Sequence, residues 1–86
     1  METTETNINE LILRIEERYS KMSKGQRRLA DYVRENYDKA VFLTAAKLGE
    51  TVGVSESTVV RFAIQLGYKG YPGFQKALEE LVRTKL

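Results

Sequence analysis

The 86-residue chain contains no cysteine and no histidine, and its longest apolar runs are only a few residues. Without cysteine a disulfide framework is excluded, and a reducing cytoplasm is the expected compartment. The absence of both residue types also removes the usual zinc sites and the commonest nucleophile–base pairs, so we expect no metal, no cofactor and no catalytic residue. The short apolar runs predict no membrane span, and the acidic, polar N-terminus argues against a secretory signal.

The composition that remains is that of one folded domain covering residues 1–86, with residues 1–6 expected to be disordered. Hydrophobic residues make up 42% of the chain and charged residues 30%, which is typical of a globular protein. The charge is uneven, because residues 1–20 hold two bases and five acids whereas residues 21–86 hold twelve bases and seven acids. The basic excess suits a phosphate-binding module, although modest basicity is also common in other small domains.

Apolar residues recurring at helical spacing predict five helices and no strands, a compact all-α bundle. Helix one is predicted to begin near Thr6 or Asn7, where Asn7 and Glu10 have the spacing of a capping box. Ser23 and Gln26 repeat that pattern at the start of helix two. The residues predicted to pack these helices and the last one are Ile8, Leu11, Ile12, Ile15 and Tyr19, then Leu29, Tyr32, Val33 and Tyr37, and finally Phe74, Ala77, Leu78, Leu81 and Val82.

Residues 45–64 have the spacing of a homeodomain-like, DNA-binding helix-turn-helix. Gly49 lacks a side chain where the two helix axes come closest, and Gly53 suits the bend, which needs a left-handed backbone. The Ser55 hydroxyl can accept from the free N–H groups that open the second helix. The apolar side chains that join the two helices are predicted to be Leu48, Val52, Val54, Val59 and Phe62.

The ends of the last three helices carry recognisable signals. Helix three is predicted over residues 45–52, with Thr44 as its cap. Helix four is predicted over residues 56–66, stopping at Gly67, and Pro72 suits the first turn of helix five.

Helix four carries the candidate base-reading residues. Its predicted core face consists of Val59, Phe62, Ala63 and Leu66, and its opposite face of Ser57, Arg61, Ile64 and Gln65, flanked by Thr58 and Val60. Because an α-helix fits the major groove, Arg61 is a candidate for guanine and Gln65 for adenine, each pair worth roughly 1–3 kcal/mol of discrimination. Ser57 and Thr58 can bond either phosphate or a base edge.

Some residues of helix four also have interpretations that involve no DNA contact. Arg61 can form a solvated ion pair with Glu56 or Glu50, worth about 0–1 kcal/mol. Val60 is either a contact for a thymine methyl group or a partly buried residue at the edge of the core. Glu56 favours the helix dipole but would repel phosphate unless it accepts from cytosine N4.

A second basic group lies before and within the first turn of helix two, at Lys21, Lys24, Arg27 and Arg28. Together with the exposed amides of that turn, Lys24 and Arg28 can clamp backbone phosphate, and the alternative is an ordinary solvated face. Thr44 can donate to phosphate, although its capping role is sufficient to explain it. Lys47 and Lys69 lie beside the two helices of the motif and are candidates of the same kind.

The run from Lys24 to Leu81 resembles the N-terminal domain of RpiR-type bacterial transcriptional regulators. The matching segments are GQRRLADYVREN (25–36), TAAKLGETVGVSESTVVRFAIQLGYKGY (44–71) and GFQKALEEL (73–81). The resemblance implies an all-helical DNA-binding domain, normally followed by a sugar-isomerase (SIS) domain that binds phosphosugars and helps to form the oligomer. The resemblance implies that the positions with which the family reads DNA correspond to Ser55, Ser57, Thr58 and Arg61.

The leading hypothesis is therefore sequence-specific binding of double-stranded DNA by part of a regulator of sugar-phosphate or amino-sugar genes. We expect a homodimer, or a higher even oligomer in a longer protein whose SIS domain takes the phosphosugar effector, with no membrane partner. Helix one is either a dimer face or part of the core, and the small size of the domain favours the core.

The alternative is a helical protein–protein adaptor that keeps the helix-turn-helix shape without binding DNA. It is favoured by Glu56 on the proposed groove face and by Arg61 as the one cation of helix four. An enzyme is a third hypothesis, weakened by the absence of any constellation of catalytic residue types.

Overall fold

The computed structural model describes residues 10–85, which form five α-helices and no strand. The helices are α1 (Glu10–Arg18), α2 (Lys24–Ala40), α3 (Ala45–Val52), α4 (Glu56–Gln65) and α5 (Tyr71–Lys85). The prediction of an all-α bundle of about five helices is confirmed. The predicted start of helix one with its Asn7 cap, the disorder expected for residues 1–6 and the packing of Ile8 lie outside the described residues.

The predicted starts of α2, α3 and α4 agree with the structure because local capping decides them. The Ser23 hydroxyl accepts from the Gln26 N–H at 3.2 Å, and the Gln26 Oε1 accepts from the Ser23 N–H at 3.1 Å. Thr44 Oγ1 accepts from the Lys47 N–H at 3.1 Å, so α3 begins where its cap predicts. These side chains satisfy amides that would otherwise lack a partner inside the helix.

Two local features were not predicted. A 3₁₀ turn, Tyr19–Lys21, follows α1, and the Arg27 side chain donates to its Tyr19 and Ser20 carbonyls at 3.2 and 3.0 Å. The second feature is a kink in α2 at Asn36, whose φ of −135° and ψ of 40° are not helical. At the kink, Asn36 Nδ2 donates to the Tyr32 carbonyl at 3.4 Å, so a side chain bonds to backbone at both features. Apolar periodicity does not record such bonds.

The core lies where the five helices meet, and every described residue predicted for it is buried or half-buried. The rings of Phe62 on α4 and Phe74 on α5 meet edge to face, with centroids 5.6 Å apart. Such an arrangement places the positive edge of one ring against the negative face of the other. The fully buried side chains, in chain order, are Leu11, Ile15, Leu29, Ala30, Val33, Ala40, Leu48, Val59, Phe62, Ala63, Leu66, Phe74, Leu78 and Leu81.

The start of α5 holds the loop that leads into α3. The Tyr71 hydroxyl donates to the Leu43 carbonyl at 2.6 Å, and Gln75 Nε2 donates to the Val41 carbonyl at 3.2 Å. Pro72 lies in the first turn of α5, as predicted. Within residues 10–85, no helix is long and apolar enough to cross a membrane.

Candidate nucleic-acid interface

The α3–α4 crossing has the tight geometry that the glycine spacing predicts. A Cβ placed on Gly49 would lie 2.6 Å from the Val54 carbonyl oxygen, so only glycine fits there without displacing backbone. The Gly49 carbonyl in turn accepts from the N–H groups of Gly53 and Val54 at 2.7 and 2.8 Å. Gly53 has a φ of 91°, the left-handed conformation expected at the bend. These contacts fix the direction in which α4 leaves the turn.

Three hydroxyl groups gather at the N-terminus of α4. Ser55 Oγ accepts from the Thr58 N–H at 3.1 Å and lies 3.1 Å from Ser57 Oγ and 2.9 Å from Thr58 Oγ1. Ser55 is thus the predicted cap of α4, and its lone pairs are engaged within the protein. Ser57 is exposed and Thr58 half-buried, so the hydroxyl of Ser57 is the more accessible to a ligand.

The outward face of α4 is a stripe at helical spacing, formed by Ser57, Val60, Arg61 and Ile64. Val60 is half-buried, whereas Ile64 keeps 54% of its surface exposed. A shallow, open hollow lies on this face, lined by Glu56, Ser57, Val60 and Arg61. On the opposite side of α4, Val59, Phe62 and Ala63 are fully buried, as the predicted core face requires. The helix ends at Gln65, one residue earlier than predicted, and Leu66 is its C-cap.

Arg61 makes no ion pair with any residue of the described part, so neither predicted surface bridge forms. Glu50 pairs instead with Lys47, at 3.3 Å, and both side chains are largely exposed. The acid at position 56 begins α4, where its charge is favourable to the helix dipole. The guanidinium of Arg61 is therefore exposed on the stripe and available for a ligand.

The first turn of α2 packs against the start of α4. A Cβ on Gly25 would lie 3.3 Å from Val54 Cγ1 and 3.7 Å from Thr58 Cγ2, so the two helix starts are in close contact. A Cβ on Gly53 would lie 3.3 Å from Nη2 of Arg28, which puts that guanidinium beside the turn of the motif. No prediction from the sequence singled out Gly25, although a glycine inside a predicted helix is unfavourable relative to alanine and often has a packing reason.

The predicted site residues divide into two groups. Lys24 and Arg28 are exposed on the first turns of α2, where Arg28 Nη2 lies beside the turn of the motif and the residue after Lys24 packs against the start of α4. Ser55 caps α4, and Ser57, Thr58 and Arg61 lie within it. Of the rest, Gln65 is half-buried at the end of α4, and Lys69 is exposed in the connection to α5. Thr44 and Lys47 lie at the start of α3, where Thr44 caps the helix.

Arg27 belongs to neither group. Its guanidinium lies 5.4 Å from the centre of the Tyr19 ring and bonds the 3₁₀ turn, so it holds α1 to α2. The basic cluster predicted before and within helix two thus contains one cation that is engaged within the protein.

Arg14 is a residue that sequence reasoning missed. It projects from α1 to the C-terminal end of α4, where Nη1 donates to the Leu66 carbonyl at 2.8 Å. Its guanidinium also bonds Glu10 at 2.6 Å and lies 4.7 Å from the centre of the Tyr68 ring. The hydrogen bond to Glu10 raises the pKa of Arg14 above its ordinary value. No signal in the sequence marks this contact, because it joins residues 52 positions apart.

In the described part of the chain, no group of three or more His, Cys, Asp or Glu residues is arranged to hold a metal ion. The features of the site are hydroxyl groups, cations and a small apolar surface around the N-terminal half of α4.

Comparison with known proteins finds the same domain in bacterial regulators. The HTH-type transcriptional regulator YfhH of Escherichia coli (strain K12), described as uncharacterized, is 40% identical over 74 residues, covering 86% of this chain and 26% of that protein. The HTH-type transcriptional regulator HexR of Pseudomonas aeruginosa is 34% identical over 62 residues, covering 72% and 22%.

A solved structure agrees with the fold. The NanR protein of Vibrio vulnificus, in complex with ManNAc-6P, matches with a TM-score of 0.80 and 36% identity, over 87% of this chain and 29% of NanR. The chain thus spans about a quarter of the length of these relatives. The model of the helix-turn-helix domain of the rpiR family matches residues 9–85. On this agreement of sequence and fold, the chain belongs to the rpiR family of helix-turn-helix domains, which are parts of transcriptional regulators.

Proposed function

We propose that this domain binds double-stranded DNA sequence-specifically, with α4 in the major groove. The observation that carries the proposal is the exposed α4 stripe, on which Arg61 has no ion pair with a described residue. The hydroxyl group of Ser57 lies on the same stripe, and the cations of α2 lie beside the start of the helix. A helix of this width fits the major groove, and the first turns of a recognition helix usually reach the base edges.

Within this proposal, Arg61 reads the O6 and N7 atoms of a guanine. It is the one cation of α4, and its fork of N–H donors matches that pair of acceptors. Val60 and Ile64 supply apolar surface on either side of Arg61, suited to a thymine methyl group. Gln65 reads adenine more weakly, because it lies half-buried at the end of the helix, where the groove curves away. Glu56 accepts from a cytosine amino group rather than facing a phosphate.

Phosphate contacts surround these base contacts. Lys24 and Arg28 approach the backbone from α2, and the Ser57 and Thr58 hydroxyls add bonds near the helix start, with Ser55 holding them in position. Thr44, Lys47 and Lys69 are outer phosphate contacts. Lys47 must leave Glu50 to take part, which costs little, because an exposed pair is worth about 0–1 kcal/mol.

The domain acts, in this proposal, within a cytoplasmic regulator of sugar-phosphate or amino-sugar genes. Two features support it: the relatives are transcriptional regulators about three times as long as this chain, and NanR was solved with ManNAc-6P. A homodimer, or a higher even oligomer, would place two copies of α4 in successive major grooves about 34–36 Å apart. The phosphosugar effector would bind a SIS domain following α5 and shift the population of DNA-competent dimers.

A binding titration with matched variants tests the proposal. A duplex is first selected from a random library, and its dissociation constant and that of an unrelated duplex are then measured by polarisation over a range of salt. Arg61→Ala should reduce the preference for the selected duplex by roughly 1–3 kcal/mol, about 5- to 150-fold. Lys24→Ala should weaken binding to both duplexes alike and lower the slope of log K against log salt by about one.

Two results would contradict the proposal. Failure to enrich any sequence, with no retention of duplex even at low salt, would exclude DNA binding. If the domain then bound a protein partner with little dependence on salt, the adaptor alternative would hold instead.

A further inference from the structure

We propose that Arg14 of α1 is a positioning residue for base reading, because it clasps the C-terminal end of α4. This inference rests on the proposed function, and it concerns the C-terminal end of α4, away from Ser57 and the cations of α2. The last carbonyl groups of a helix have no partner inside the helix and carry the negative end of its dipole. Arg14 supplies both a donor and a positive charge at that end.

The carbonyl groups at the end of α4 have two kinds of donor, local backbone amides and the Arg14 side chain. The Tyr68 N–H donates to the Ala63 carbonyl at 3.1 Å and the Gly67 N–H to the Ile64 carbonyl at 2.9 Å, which is a Schellman arrangement. The Leu66 carbonyl accepts from Arg14 Nη1 at 2.8 Å. A donor from α1 thus completes the end of α4, in addition to its local cap.

The residues around the guanidinium leave room for it and restrict its orientation. A Cβ on Gly67 would lie 2.6 Å from Arg14 Nη1, so the absence of a side chain at this position leaves space for the guanidinium. Gly67 also has a φ of 96°, the left-handed conformation that glycine adopts readily. The Tyr68 ring lies under the guanidinium at 4.7 Å, and Glu10 bonds its other edge. Lysine could not reproduce this set, because its ammonium lacks the planar fork that stacks and bonds at the same time.

The contacts of Arg14 connect, through the Tyr68 ring, to the core residues that support α4. Tyr68 meets Phe74 edge to face at 6.3 Å, and Phe74 meets Phe62 of α4 at 5.6 Å. A displacement of Arg14 would therefore free the C-terminal turn of α4 relative to α1. The outward stripe would then tilt with the helix, and the bidentate contact of Arg61 depends on its angle to the base.

The test compares the selected and unrelated duplexes for four proteins: the wild type, Arg14→Met, Arg14→Lys and Arg18→Met. Arg18 is the control, because it lies on the same helix and its ion pair with Glu17 is local to α1. Partial unfolding lowers the active fraction equally for both duplexes, so the ratio of the two affinities separates positioning from stability. We expect Arg14→Met to lower this ratio about three- to ten-fold, part of the roughly 5- to 150-fold effect of one bidentate contact. Arg14→Lys should lower the affinity ratio nearly as much as Arg14→Met does.

Two further measurements, the salt slope of binding and amide hydrogen exchange, distinguish failure of this inference from failure of the proposed function. The salt slope should be unchanged in Arg14→Met, and hydrogen exchange of the Gly67 and Tyr68 amides should accelerate in the DNA-free protein. An unchanged affinity ratio, or the same loss in Arg18→Met, would overturn the inference while leaving the proposed function intact. A salt slope lowered by about one would also overturn it, because Arg14 would then be a phosphate contact. A wild-type chain that selects no sequence would instead refute the proposed function.

Discussion

At the scale of single residues, the glycines of this domain differ in what their missing side chain does. Gly49 and Gly73 are both helical, but their surroundings are opposite. A Cβ at Gly49 would meet the Val54 carbonyl at 2.6 Å, whereas a Cβ at Gly73 would meet Tyr68 Cβ at 3.4 Å, an ordinary contact. The spacing of the sequence identified Gly49 as the residue where α3 and α4 cross. The difference between Gly49 and Gly73 in contact distance is visible only in the structure.

This contrast gives a paired stability prediction. Gly49→Ala should lower the free energy of unfolding by about 1–3 kcal/mol, because the new methyl group forces backbone apart at the α3–α4 crossing. Gly73→Ala should raise it by roughly 0.5–1 kcal/mol, because alanine reduces the entropy lost when the helix forms. Urea unfolding followed by circular dichroism measures both. Equal effects of the two variants would contradict the packing described for the crossing.

At the scale of elements, local signals predicted the starts of helices well and long-range contacts poorly. Ser23, Thr44 and Ser55 each accept from an N–H group three residues ahead, so a four-residue window contains the whole interaction. Arg14, by contrast, caps a helix that lies 52 residues away along the chain. Periodicity explains why a residue is buried, but it does not predict which helix end a long polar side chain reaches.

The link between α5 and the loop before α3 gives a pH-dependent prediction. Burial raises the pKa of Tyr71 to about 12, above the ordinary value of 10.0, because desolvation disfavours the charged phenolate. The protonated hydroxyl is the form that donates to the Leu43 carbonyl. The unfolded chain loses this proton near pH 10 and the folded chain only near pH 12. The contribution of Tyr71 to the free energy of unfolding is therefore fully present below pH 10 and is lost as the pH rises towards 12.

The size of that loss is at most about 2.7 kcal/mol for two pKa units, and solvent near the hydroxyl reduces it to on the order of 1–2 kcal/mol. Urea unfolding at pH values between 9 and 12 provides the measurement, with Tyr71→Phe as the control. Burial also raises the pKa values of Tyr19 and Tyr68, so the control should retain a shallower decline. A decline of the same depth in both proteins would show that Tyr71 does not hold its proton in this way.

At the scale of the whole molecule, the fold and most of the core followed from the sequence. Val59, Phe62, Ala63 and Leu66 are all fully buried, as the helical spacing predicts. The grouping of Lys24 and Arg28 with the start of α4 could not be derived, because it depends on how Gly25 packs against Val54 and Thr58. Spacing identified the types of residue suited to DNA, and the packing of α2 on α4 determines which of them share a surface.

In the proposed complex, one surface, formed by the first turns of α2 and the outward stripe of α4, faces the duplex. Two-dimensional NMR of the isotope-labelled chain, titrated with its selected duplex, measures this surface directly. We expect amide shifts concentrated at residues 24–28 and 55–61, with little change along α1 and the second half of α5. Shifts confined to α1 and α5, with residues 55–61 unaffected, would contradict this expectation.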